Sequence, residues 1–221
     1  MDTVRPTIGK LVGSSWEILK QHFWVLLGFL ITYLIVSFMI GLIFGLFLGL
    51  SGMPPESSLS AVLQVTMNLI SLVLSILFSI GFVKATLNAV DGVDSTFAVF
   101  KTTIDKFWYM LATSILVAVI VLVGFFFLIV PGIYLALRLQ FAGFFVVDQD
   151  KSPIEAIKSS WELTKGEAGY LFLVTLTILG LTILGLICLI VGVFVTAILS
   201  YIMFAYLFRY YLSAKTGEAM E

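Results

Sequence analysis

The stretch Phe23-Trp-Val-Leu-Leu-Gly-Phe-Leu-Ile-Thr-Tyr-Leu-Ile-Val-Ser-Phe-Met-Ile-Gly-Leu-Ile-Phe-Gly-Leu-Phe-Leu-Gly-Leu50 contains no Asp, Glu, Lys, Arg or His. A membrane-spanning helix needs about 20 apolar residues. The run is too long for a signal-peptide core, and the following Ser51-Gly-Met-Pro-Pro-Glu56 has no small-x-small cleavage site, so it reads as a retained membrane helix. Working outward, comparable runs predict further helices at 60–88, 107–130, 132–148, 168–189 and 192–213. The pair 107–130 and 132–148 is expected to break at Pro131-Gly132, because proline cannot donate an amide and disfavours a helical residue before it. Only Gly192 marks the turn of the last pair.

Composition agrees. The 221 residues are 61% hydrophobic and 11% charged, and the mean hydropathy is +1.15. Soluble domains are nearer half apolar and a quarter charged, so lipid must cover the excess apolar surface. The reading is an all-α integral membrane protein of about six transmembrane helices, a single membrane domain over 1–221. A net charge of −1 argues against nucleic acid as a partner, which would need clustered Lys and Arg. Cys188 is the one cysteine and reads as a small buried hydrophobe.

Orientation follows from the basic residues. Arg5, Lys10, Lys20, Lys84, Lys101, Lys106, Lys151, Lys158, Lys165, Arg209 and Lys215 all fall at one set of connections and ends, and the opposite connections carry no Lys or Arg. Lys and Arg in short loops stay cytoplasmic. Both termini are therefore expected inside, with Glu56 the one acid outside.

The connection before the fifth span contains Ser152-Pro-Ile-Glu-Ala-Ile-Lys-Ser-Ser-Trp-Glu-Leu-Thr-Lys165. Ser152 and Glu155 form a capping box with Pro153 in the first turn. Ile154, Ile157 and Trp161 recur at helical spacing, with Glu155, Lys158, Ser159, Glu162 and Lys165 opposite. This predicts a short amphipathic helix in the headgroup region. Two other stretches resemble it. Ser14-Ser-Trp-Glu-Ile-Leu-Lys20 matches Ser159-Ser-Trp-Glu-Leu-Thr-Lys165, and Val90, Asp91, Ser95, Phe97, Phe100, Lys101, Ile104 and Asp105 match Val147, Asp148, Ser152, Ile154, Ile157, Lys158, Trp161 and Glu162 in character. The expectation is three parallel hairpin repeats, units 7–89, 90–147 and 148–213, each preceded by such a helix. Trp16, Trp108 and Trp161 are the expected interfacial anchors.

Chemistry-bearing residues are sparse. His22 and Cys188 are too few for a zinc site. No His-Glu-x-x-His, Gly-rich phosphate loop or Gly-x-Ser-x-Gly elbow occurs, so no catalytic residue, metal or cofactor is assigned. No Asp or Glu falls inside a predicted span, and Asp91, Asp94, Asp148 and Asp150 read as caps and turns. Gly41, Gly45 and Gly49 lie at four-residue spacing, suited to close packing against another helix of the bundle or, alternatively, a second copy. Thr175, Thr177, Thr182 and Thr196 are expected to bond their own backbone or a neighbouring helix.

Arg138 stands apart. It lies about ten residues before Asp148, roughly 15 Å from the inner end of its helix and so near the midplane, where no carboxylate is at hand. One reading is a snorkelling side chain bonded to carbonyls, or to Gln140 and water. The other is an anion site, since the guanidinium fork suits phosphate, with Tyr134 and Gln140 beside it and Gln64 and Asn68 as candidate neighbours.

Pro131-Gly-Ile-Tyr-Leu-Ala-Leu-Arg138, Val147-Asp148 and Ser152 to Gly166 resemble a prokaryotic multipass membrane family. Its relatives include the membrane domain that precedes the catalytic barrel in some glycerophosphodiester phosphodiesterases. The resemblance implies a six-helix layout and an Arg near position 138. It implies no activity here, because the catalytic barrel is not part of this sequence. The expected function is a non-enzymatic protein of a prokaryotic plasma membrane that binds or moves an anionic lipid or amphiphile. The alternative is a structural module docking a protein partner on its cytoplasmic face. A channel or transporter would need a polar path, and the predicted helices supply few polar groups.

Overall fold

The computed structural model describes residues 5–52, 54, 57–93, 103–187 and 189–216, with the backbone alone for 103, 104 and 189–191. Among these residues the chain is all-helical: α1 (Ile8–Ser51), α2 (Ser58–Val90), α3 (Thr103–Phe127), α4 (Ile129–Leu139), α5 (Ala142–Gln149), α6 (Pro153–Leu163), α7 (Ala168–Ile187) and α8 (Leu189–Thr216). Six of the helical stretches are long and apolar enough to cross a membrane, α4 and α5 together counting as one.

Several expected boundaries move. The segment around Trp16 is not a separate amphipathic helix, because α1 is continuous for 44 residues, about 66 Å at the usual rise. Nothing between Lys20 and Phe23 could stop it: there is no Pro, Gly or capping residue there. Of the middle copy, Ser95, Phe97, Phe100 and Lys101 and the side chain of Ile104 lie outside the described residues, as do Cys188 and Glu56.

The turn between α3 and α4 falls at Leu128 (φ −168°, ψ 157°), not at Pro131-Gly132. Pro131 sits in the first turn of α4, where its missing N–H breaks no helical bond. The hairpin is tight: a Cβ on Gly132 would lie 2.5 Å from Phe125 Cγ, and one on Gly124 would lie 2.6 Å from Leu135 Cδ1. Similarly α8 begins at Leu189 rather than 192, and α7 crosses it at Gly185, where a Cβ would meet the Gly192 carbonyl at 2.7 Å.

The expected single helix over 132–148 is two. It breaks at Gln140 and Phe141, where ψ rises to 0°. The Arg138 carbonyl at this break accepts from Ser160 Oγ at 2.8 Å and Thr164 Oγ1 at 3.1 Å. Hydroxyls bonding into the ladder are an established cause of such bends.

The core is built around the middle of α8. Ile198, Ile202, Met203, Ala205, Leu207 and Phe208 are fully buried. Phe208 packs on Phe145 (ring centroids 5.0 Å), Phe144 (5.4 Å) and Phe141 (6.1 Å). α1 contributes Leu11, Ser15, Leu19, Leu26 and Phe29 at spacings of one to two turns, and α2 contributes Ile76, Ile80 and Leu87. Beyond these the first two helices form an arm: no residue of α1 after Phe29, and none of α2 from Ala61 to Ser75, is buried. The N-terminus is tied to the last hairpin, where Arg5 pairs with Glu167 at 3.0 Å and Tyr170 donates to the Pro6 carbonyl at 2.8 Å. Thr175, Thr177, Thr182 and Thr196 each donate to the carbonyl four residues back.

Candidate functional site

α6 is set on the bundle by its start and by a face that hydropathy did not single out. Ser152 N–H and Oγ both donate to Glu155 Oε2, at 3.2 and 2.8 Å, so the expected capping box is present. These bonds hold the Glu155 carboxyl below its ordinary value of 4.5. The buried face is Ala156, Ser160 and Leu163. Ile154 and Trp161, expected on the apolar face of a helix in the headgroup region, are 62% and 39% exposed and are not the face that packs on the bundle. Small residues win because Ser160 must reach the Arg138 carbonyl, which only close helix approach permits.

This contact places Arg138. It is the penultimate residue of α4, at the break inside the Ile129–Gln149 span and facing the last turn of α6. Its side chain is 3% exposed. Nη2 donates to the Trp161 carbonyl, and Nη1 lies 3.4 Å from the Tyr134 hydroxyl. The guanidinium carbon stands 4.2 Å from the Trp161 ring centroid and 5.7 Å from that of Tyr134. Cation–π contacts of this kind contribute about 0.5–2 kcal/mol, more as water is excluded. No carboxylate pairs with Arg138 among the described residues, and its Nε is buried without a partner. Gln140 does not complete the site: its Nε2 is also buried and unpartnered. Gln64 and Asn68 are exposed on the α2 arm and make no bond to Arg138.

Beside this arrangement lies a surface groove of about 240 Å³, lined by Ile120, Leu139, Ile157, Lys158, Trp161 and Glu162. Trp161 is common to both: its ring covers the guanidinium and walls the groove. The floor is apolar, and one cation, Lys158, and one acid, Glu162, stand at it.

A second polar cluster went unrecognised in the sequence. Arg209 of α8 grips Asp91 at the end of α2 (Nε 2.8 Å, Nη2 2.6 Å) and Asp148 of α5 (Nη1 2.7 Å, Nη2 2.9 Å). Lys84 approaches Asp148 at 3.9 Å. The Asp148 side chain is only 10% exposed, so it is a largely buried ion-pair partner rather than a turn residue, and the expectation of no acid inside a span fails there. Lys106 donates to the Val147 carbonyl at 2.6 Å and pairs with Asp150 at 2.6 Å, satisfying the end of α5. The signal was the matched pair Val90-Asp91 and Val147-Asp148, which shares one arginine in space.

Trp16, Trp108 and Trp161 all reach the protein surface, at 45%, 72% and 39% exposure. Trp16 and Val12 line a groove with Leu184, Gly185, Gly192 and Val195 at the turn of the α7/α8 hairpin. Gly41, Gly45 and Gly49 do not pack on the bundle, since a Cβ at any of them would meet nothing within 4 Å. They lie on the arm, past the last buried residue of α1. Among the described residues no group of three or more His, Cys, Asp or Glu could hold a metal ion.

No curated protein and no solved structure matches the chain. A family model does match, over residues 80–216, a region holding both polar clusters and most of the helices. No link to the membrane domain of glycerophosphodiester phosphodiesterases is shown. With well over half of its length matched, the chain belongs to the family described as Domain of unknown function (DUF7847).

Proposed function

We propose that this is a non-enzymatic multipass protein of a prokaryotic plasma membrane, with both termini cytoplasmic, that binds an anionic lipid or other amphiphile in the groove beside α6. The observation that carries the reading is the buried Arg138 guanidinium, which has no carboxylate partner and an unbonded Nε and lies under the Trp161 ring that also walls the groove. An uncompensated buried cation is costly, and an anion close by offsets that cost. Lys158 would meet the headgroup, and Ile120, Leu139 and Ile157 would meet the first part of the chain. Arg138 acts through its field, since its two terminal nitrogens already have partners.

Native mass spectrometry of protein extracted with its surrounding lipid tests this. Wild type is expected to retain an anionic lipid that Lys158→Glu loses. Equal retention in both would remove the groove as the site.

A second reading has one observation in its favour. Ile154 stands 62% exposed on α6, beside the exposed Glu155 and Lys158, as a docking helix would present it. Specific crosslinking from Lys158 to one protein, with no lipid retained, would favour a partner module.

A further inference from the structure

α2 carries a polar stripe. Gln64, Asn68, Ser71, Ser75 and Ser79 recur at spacings of four, three, four and four, which places them on one face of the helix. One end of the stripe is sheltered: Ser75 and Ser79 line a groove of about 470 Å³ with Ser114 of α3. The other end is not. Gln64 and Asn68 are exposed, and neither amide bonds any described residue.

Their surroundings are apolar. Between Leu59 and Val83 α2 has no charged residue, and Val62, Val65, Leu69 and Ile70 beside the amides are exposed. Asn68 stands nine residues from one end of this stretch and fifteen from the other, about 14 and 22 Å at the helical rise. An amide facing hydrocarbon without a partner is unfavourable. Amide side chains on membrane helices bond across to neighbouring helices, and among the described residues no helix of this chain receives them.

We propose that this face of α2 pairs with the same face of a second copy of the chain, across a twofold axis. A carboxamide both donates and accepts. A twofold axis sets like residues against like, so Gln64 and Asn68 of each copy satisfy their counterparts without any other sequence. An alkyl chain offers neither donor nor acceptor, and a headgroup at the nearer end of the stretch is too far away to reach Asn68. Ala61 and Ser71 on the same face are small and let the helices come close. From Ala61 to Ser71 no residue of α2 is buried, so the approach is open. The pairing is independent of the groove at α6, and either can fail alone.

The test uses cysteines that leave both amides in place, in a Cys188→Ala background and in native membranes. Ala61→Cys and Ser71→Cys are expected to crosslink to dimers on mild oxidation, while Val62→Cys and Ile70→Cys, off the stripe, are not. In proteoliposomes, energy transfer between labelled copies should show dimerisation about tenfold weaker in Gln64→Leu/Asn68→Leu. That variant adds apolar side chains on a lipid-facing helix and leaves the core untouched. Crosslinking equal on and off the stripe, none at any position, or undiminished dimerisation of the double variant would overturn the proposal.

Discussion

Replacing Asp148 with alanine should destabilise the protein more than replacing Asp91, although both carboxylates take two hydrogen bonds from the same arginine. The difference lies in burial. The Asp148 side chain is 10% exposed and that of Asp91 is 34%, with Arg209 at 22%. Removing one partner of a buried pair costs about 3–5 kcal/mol, because the other charge is left unpaired. Pairs open to water contribute about 0.2–1 kcal/mol. Asp148→Ala also leaves Lys84 without its acid. Allowing for water at Arg209, the expected losses are about 3 kcal/mol for Asp148→Ala and about 1 kcal/mol for Asp91→Ala. For a chain of this size, that is a fall in Tm of about 6–12 °C against about 2–4 °C. Intrinsic-fluorescence melting in one detergent reads both. Arg209→Ala should cost at least as much as Asp148→Ala, since it leaves two carboxylates facing each other. Adding Asp148→Ala to Arg209→Ala should cost much less than the sum of the two. Equal falls for the two aspartates, or none beyond about 1 °C for either, would refute the reasoning.

Other expectations follow from the same geometry. Gly132→Ala should cost about 1–3 kcal/mol, because the new methyl meets the Phe125 ring; Gly45→Ala, with open space around it, should melt at or slightly above wild type. Ser160→Ala should cost about 1–2 kcal/mol by taking a donor from the Arg138 carbonyl. Thr164→Val should cost less, because the single Thr164 hydroxyl proton has a nearer acceptor in Ser160 O at 2.7 Å; the same melts rank the two. The Glu155 carboxyl is held low by Ser152, so its cap contributes fully above the ordinary carboxylate value and is lost as pH falls through the lowered one. Acid titration of Trp161 fluorescence should show this transition, and Glu155→Gln should remove it.

How much could be read from the sequence varied with the physics involved. Hydropathy located the spans, because apolar length is a local property. Ser152 and Glu155 announced the start of α6 for the same reason. The break at Gln140 carries no Pro or Gly, and its cause sits 20 residues later in Ser160 and Thr164, so no local pattern could show it. The Trp16 segment shares Ser-Ser-Trp-Glu with α6 but merges into α1, because similarity of residues does not supply a helix stop. Spacing suggested a packing seam at Gly41, Gly45 and Gly49, yet spacing cannot say whether anything lies opposite. The Asp91 and Asp148 match was visible as a repeat, but the arginine that joins them lies over 60 residues further on. It joins the ends of α2, α5 and α8.

The groove at α6 is tested most directly in a protein whose only tryptophan is Trp161, with Trp16, Trp24 and Trp108 replaced by phenylalanine. Reconstituted with brominated lipids, its fluorescence reports which lipid lies against that ring. Brominated anionic lipid is expected to quench more strongly than brominated zwitterionic lipid at equal density, with the difference abolished by Lys158→Gln. Equal quenching by both lipids in the Lys158 protein would contradict this.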